Sequence, residues 1–87
     1  MEYTFSKHLL KTLELRRSEI KVEWIIQTIK EPDFKEIISE EEIRLWKKIE
    51  DFGNRYLRVV VNPKKQLVIT AFFDRNFKRR LENENNL

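Results

Sequence analysis

The 87-residue chain contains no cysteine, a single histidine, a single glycine and two prolines. Each shortage closes a class of function. Without cysteine there are no disulfides, no zinc–thiolate sites and no thiol nucleophile. One imidazole cannot build a histidine metal cluster, so neither a metal nor another cofactor is expected and any chemistry is metal-free. No apolar run approaches the ~20 residues that would cross a membrane. The opening "MEYTFSKH" lacks a basic start followed by an apolar segment, so the chain reads as a cytoplasmic protein without membrane contact. A chain of this length forms one domain and buries only about 60% of its unfolded surface. Its core is marginal, and a partner chain or a second copy of itself would steady it.

Charge is plentiful but unevenly placed. The net charge is +3, yet residues 18–42 hold eight acids against three Lys/Arg, while residues 43–80 hold eleven Lys/Arg against three acids. A basic second half beside an acidic strip is the layout of a polyanion-binding face with a repelling back.

Along the chain, "EYTF" alternates like a short edge strand, and Ser6 suits a helix N-cap. The spacing predicts a first helix from Lys7 to Arg17 with Leu9, Leu10 and Leu13 as its apolar stripe. Val22, Ile25, Ile26 and Ile29 fall at i, i+3, i+4 and i+7 and predict a second helix that Pro32 ends. Trp24 lies opposite that stripe and is expected to face outward as a protein-contact residue. Branched and aromatic residues then dominate "FKEII", "IRLWKKI", "RYLRVVV" and "QLVITAFF", separated by "SEEE", "EDFGN" and "NPKK", and predict strands joined by short turns. The expectation is an α+β fold in the order β-α-α-β-β-β-β, with two N-terminal helices on one face of an antiparallel sheet and the other face open. Residues 1–80 form the domain. The tail "NFKRRLENENNL" has no sustained period and, apart from its basic first half, is expected to fray, over residues 81–87.

Pairing Val61 with Leu67 across the NPKK turn sets Val59 opposite Ile69 and Leu57 opposite Ala71, an apolar face for the helices. The opposite face then gathers Tyr56, Arg58, Val60, Val68, Thr70 and Phe72. Rings that stack bases beside an arginine that grips phosphate are what single-stranded RNA binding needs. A stabilising cross-strand pair of Tyr56 with Phe72 is the plainer alternative. At 100° per residue His8 points away from the leucine stripe and shares its side of the helix with Thr12 and Leu15. A lone helical histidine is either a structural polar group or a proton-transfer group.

The string Phe5-Ser6-Lys7-His8, the leucine-rich helix ending in Arg16, then Ile20 and "VEWIIQTIKEPD" closing at Pro32, resembles a family of small bacterial domains. The segment "RYLRVVVNPKKQLVITAFFDR" resembles that family's closing hairpin, so the likeness runs from Tyr3 to Arg75. The family is similar to the BrnT and RelE toxins of type II toxin–antitoxin systems. The resemblance implies a RelE-like fold, metal-independent endoribonuclease activity on mRNA, including ribosome-bound mRNA, and a cognate antitoxin that covers the active face. Within it, His8 moves a proton, Arg58, Arg75 and Arg16 hold the phosphate, and Tyr56 and Phe72 stack bases beside Thr70. Lys78 and Arg79, in the basic first half of the tail, extend the RNA contact. Thr12 stands where the family pattern has its first arginine, so only Arg16 carries over from the helical charged pair. A non-catalytic RNA- or DNA-binding module on the same fold, or a protein-interaction domain using Trp24, are the alternatives.

Overall fold

Ser6 starts the first helix as its residue type dictates. Its Oγ accepts from the Leu9 amide at 3.0 Å, and its hydroxyl donates to the Ile69 carbonyl at 3.0 Å. One side chain thus caps the helix and ties it to the last strand. Replacing Ser6 by alanine should cost about 1–2 kcal/mol, read as a lower urea midpoint at unchanged slope.

The computed structural model describes residues 3–77 and Leu81. Its elements are β1 (Thr4–Phe5), α1 (Lys7–Leu15), α2 (Val22–Lys30), β2 (Phe34–Ser39), β3 (Glu42–Ile49), a 3-10 turn (Glu50–Phe52), β4 (Arg55–Asn62) and β5 (Leu67–Phe73). The fold is α+β: two helices and a five-stranded sheet in the order β1-β5-β4-β3-β2. Among the described residues no helix is long and apolar enough to cross a membrane.

The sheet is mixed, whereas tight turns alone predict an antiparallel one. The turns do set β2 through β5 antiparallel, but β1 pairs with β5 in parallel. No hairpin constrains β1, because both helices and three strands separate it from its partner. The register of β4 with β5 also departs from the expected one. Leu57 faces Phe73, Val59 faces Ala71 and Val61 faces Val68, with a bulge between Val60 and Val61. The pairing of Val60 with Thr70 and Val61 with Val68 leaves Ile69 as the extra residue, and such a residue shifts everything on one side of it by one position. Val68 therefore turns into the core, fully buried, rather than joining Thr70 and Phe72 on the opposite face.

The core lies between the helices and one face of the sheet. Leu9 and Ile25 meet Leu45, Ile49, Leu57, Val59, Val61, Val68 and Ala71 there. The second helix is rolled relative to its aliphatic stripe. Trp24, Ile25 and Thr28 are buried, while Val22 and Ile26 are exposed. Trp24 is thus a core residue, not an outward contact. Its indole packs against Phe52 at 5.7 Å and Phe73 at 6.1 Å between ring centres. The indole brings more apolar area than either Val22 or Ile26 alone, and those two stay about half covered, at 48% and 41% exposed. The Thr28 hydroxyl donates to the Trp24 carbonyl at 2.7 Å, so the roll leaves no polar group stranded.

The second face is not bare either. A row runs across it from Phe34 through Trp46 and Arg58 to Phe72, each paired with the next. The chain leaves β5 through Asp74, turns helical at Arg75 and lays Phe77 over this row. Phe77 stacks on Trp46 with ring centres 4.7 Å apart and 11° between planes, and meets Phe34 and Tyr56 edge-on at 5.1 and 5.2 Å. The start of the tail is therefore folded, drawn down by the apolar demand of Trp46, which is buried on this face. Of residues 81–87, expected to fray, Leu81 is described and helical, while 82–87 lie outside the described residues, as do Lys78 and Arg79.

Candidate nucleic-acid interface

β1 pairs with β5 only at Leu67 and Val68. Beyond that point side chains serve the outer edge of β5. Ser6 takes the Ile69 carbonyl, and Arg17 donates from Nη1 to the Ala71 carbonyl at 3.2 Å. Arg17 lies beyond α1, which stops at Leu15 rather than continuing to Arg17 because the Arg16 and Arg17 amides both close on the Thr12 carbonyl. That i→i−5 closing turn ends the helix and leaves the Arg17 guanidinium over the Phe72 ring, 5.5 Å from its centre.

A groove of about 410 Å³ results between α1 and the edge of β5, lined by His8, Lys11, Thr12, Leu15, Arg16, Arg17, Thr70 and Phe72. It brings together four residues singled out in the sequence: His8, Arg16, Thr70 and Phe72. Among the described residues three fixed cations line it and no carboxylate does. Such a cleft concentrates field lines and draws in anions. His8 is exposed at its rim. The Thr12 hydroxyl is turned away from solutes, donating to the His8 carbonyl at 2.8 Å. Lys11 was legible as a groove residue, since it follows His8 by three on the same helix face. Arg17 carried no such signal, because its position depends on where the helix ends.

Arg58 adjoins the groove through Phe72. Its guanidinium sits 5.2 Å from the Phe72 ring centre and 5.5 Å from that of Trp46. Asp74 lies 3.8 Å from its Nη1, and the enclosed Nε has no hydrogen-bond partner among the described residues. The cation is thus held chiefly by two π-faces. Asp74 also accepts from Trp46 Nε1 at 3.1 Å, which fixes the indole beneath Phe77.

The remaining sequence candidates lie elsewhere. Tyr56 is half-buried against Phe34 and Phe77, and Arg75 lines a different cleft at the end of β4 and β5. Trp24 belongs to the core. Among the described residues no group of three His, Asp or Glu side chains is close enough to hold a metal ion. Comparison with family models, curated proteins and solved structures gives no match for this chain.

Proposed function

We propose that the protein is a toxin-like component of a type II toxin–antitoxin system, a metal-independent endoribonuclease on a RelE-like fold that binds RNA in the α1–β5 groove. The observation that carries this reading is the convergence of His8, Lys11, Arg16 and Arg17 around Thr70 and Phe72, with no carboxylate among the described lining residues. Two helices packed on one sheet face, with a cationic groove along the border of the other, agree with the BrnT/RelE resemblance.

In this reading the 2′-oxygen of a bound ribose attacks the neighbouring phosphorus and its proton passes to the His8 imidazole. The 5′-oxygen leaves and takes a proton from Lys11 or water, yielding a 2′,3′-cyclic phosphate and a 5′-hydroxyl. Arg16 and Arg17 bear on the charge that builds on the phosphoryl oxygens, and Phe72, in contact with the Arg17 and Arg58 guanidiniums, holds the cationic wall of the groove in place. A cognate antitoxin is the second part of the proposal. Edge strand β2 carries Ile37 at 68% and Ile38 at 46% exposure, apolar surface that supports a protein partner.

Incubating the protein with RNA and with programmed ribosomes, in chelator and in magnesium, tests this directly. Equal cleavage in both, with cyclic phosphate ends, is the expected result. Intact RNA in every arm would remove the catalytic part. A non-catalytic binder is favoured by one specific observation: among the described residues the groove offers one imidazole and no carboxylate, a thin supply of proton-transfer groups. For either reading, binding should weaken steeply from low to physiological salt, by roughly 0.7 in log K per log unit of salt for each single-strand phosphate contacted. A salt-independent Kd would point to a protein ligand instead.

A further inference from the structure

The end of the sheet holds a second cationic cleft, of about 270 Å³, between the start of β4 and the exit of β5. Arg55 and Arg75 both line it, with Tyr56, Phe73 and the Gly53-Asn54 turn as its walls. The turn explains where Arg55 points. Gly53 and Asn54 are both left-handed, at φ +66° and +57°, so the chain reverses between the 3-10 turn and β4. The Arg55 guanidinium then lies over Phe52, 5.2 Å from the ring centre, while the residue as a whole stays exposed.

One carboxylate lines the cleft, that of Asp74, and its oxygens are already committed. Oδ1 accepts from the Asn76 amide at 3.1 Å, and Oδ2 accepts from Trp46 at 3.1 Å and faces Arg58 at 3.8 Å. Neither Arg55 nor Arg75 has an ion-pair partner among the described residues. Both are exposed, so two cations stand together with no internal anion to answer them.

This cleft and the α1–β5 groove are neighbours. Phe72 lines one and Asp74 the other, two residues apart and on the same side of the chain, about 7 Å at ~3.3 Å per residue. Arg58 spans the interval, touching Phe72 on the groove side and Asp74 on the cleft side. We infer that the Arg55–Arg75 cleft is a second phosphodiester subsite, taking the continuation of the same single RNA strand that occupies the groove. The inference rests on the RNA-binding reading given above, and it adds a minimum ligand length: an oligomer must reach beyond the groove to gain the extra contacts. Sequence-tolerant single-strand sites span roughly 4–16 nucleotides, which accommodates both.

The test uses fluorescence anisotropy with 2′-O-methyl RNA, which cannot be cleaved, of about 3 and about 12 nucleotides. The full chain is compared with the double variants Arg55→Gln/Arg75→Gln and Arg16→Gln/Arg17→Gln, each checked for an unchanged circular dichroism spectrum. Two lost phosphate contacts, at ~0.7 counterions each, should weaken the long oligomer about tenfold at physiological salt and lower its salt slope by about 1.4. The short oligomer should bind Arg55→Gln/Arg75→Gln as it binds the parent, while the groove variant weakens both lengths. Parent-like affinity and slope for the long oligomer on Arg55→Gln/Arg75→Gln would overturn the second subsite and leave the groove reading standing. Equal weakening of both lengths would overturn the extension, because the cleft would then belong to the primary site. Failure of either oligomer to bind the parent protein, even at low salt, would remove the underlying reading together with it.

Discussion

Replacing His8 by alanine should slow RNA cleavage by about 10²–10⁴-fold, the usual worth of one positioned proton-transfer group. The residue is well suited to such a test. It is exposed on α1, and no side-chain hydrogen bond to the rest of the fold depends on it among the described residues. A surface substitution of this kind stays within about 0.5 kcal/mol in stability, so lost activity cannot be blamed on unfolding. The decisive comparison is single-turnover cleavage of one RNA by parent and His8→Ala at equal saturation. A rate within about threefold of the parent would strip His8 of its role, and the groove would be left as a binding site only. Binding should change little, because Lys11, Arg16 and Arg17 supply the fixed charge. A loss of affinity without loss of rate would reverse the assignment.

The second large effect concerns folding. Phe77→Ala should destabilise the protein by about 3–5 kcal/mol, the range for removing a buried aromatic ring. Phe77 is 5% exposed and touches three rings, and its loss would leave the upper side of Trp46 to water. Small domains have only about 5–15 kcal/mol in hand, and each kcal/mol moves Tm by roughly 4–8 °C at this size. A fall of at least 12 °C is therefore expected. A tail that frays from Asn76 onward predicts instead a change below about 0.5 kcal/mol. Tryptophan fluorescence during thermal unfolding separates the two, and a Tm within ~3 °C of the parent would mean that Phe77 does not close the second face.

That contrast also marks how far the sequence could be read. The elements were legible because their signals are local. Ser6 capped α1, Pro32 followed α2, and the four strands from Phe34 onward lie where branched residues cluster. Half of the site was legible for the same reason: His8 lies on the first helix with Arg16 at its end, and Thr70 and Phe72 alternate on one strand. What escaped depends on partners far away in the chain. A period of 3.6 says which residues can share a helix face but not which face the rest of the protein needs, so Trp24 was assigned outward although Phe52 and Phe73 claim it. Phe77 is one ring in a polar run, and its burial is decided by Trp46, 31 positions earlier. A bulge at Ile69 changes no composition at all, yet it alone moves Val68 to the other face.

The two borders of the sheet differ in kind. Along β5 the carbonyls of Ile69 and Ala71 are already taken by Ser6 and Arg17, which guards that border against a foreign strand. The β2 border carries the exposed Ile37 and Ile38 beside a bulge, and an added strand from another polypeptide would be directed there. From β2 to β5 is three strand spacings, about 14 Å at ~4.8 Å each. An inhibitor anchored on β2 must therefore send a further stretch of about four or five extended residues across the sheet before it can obstruct His8.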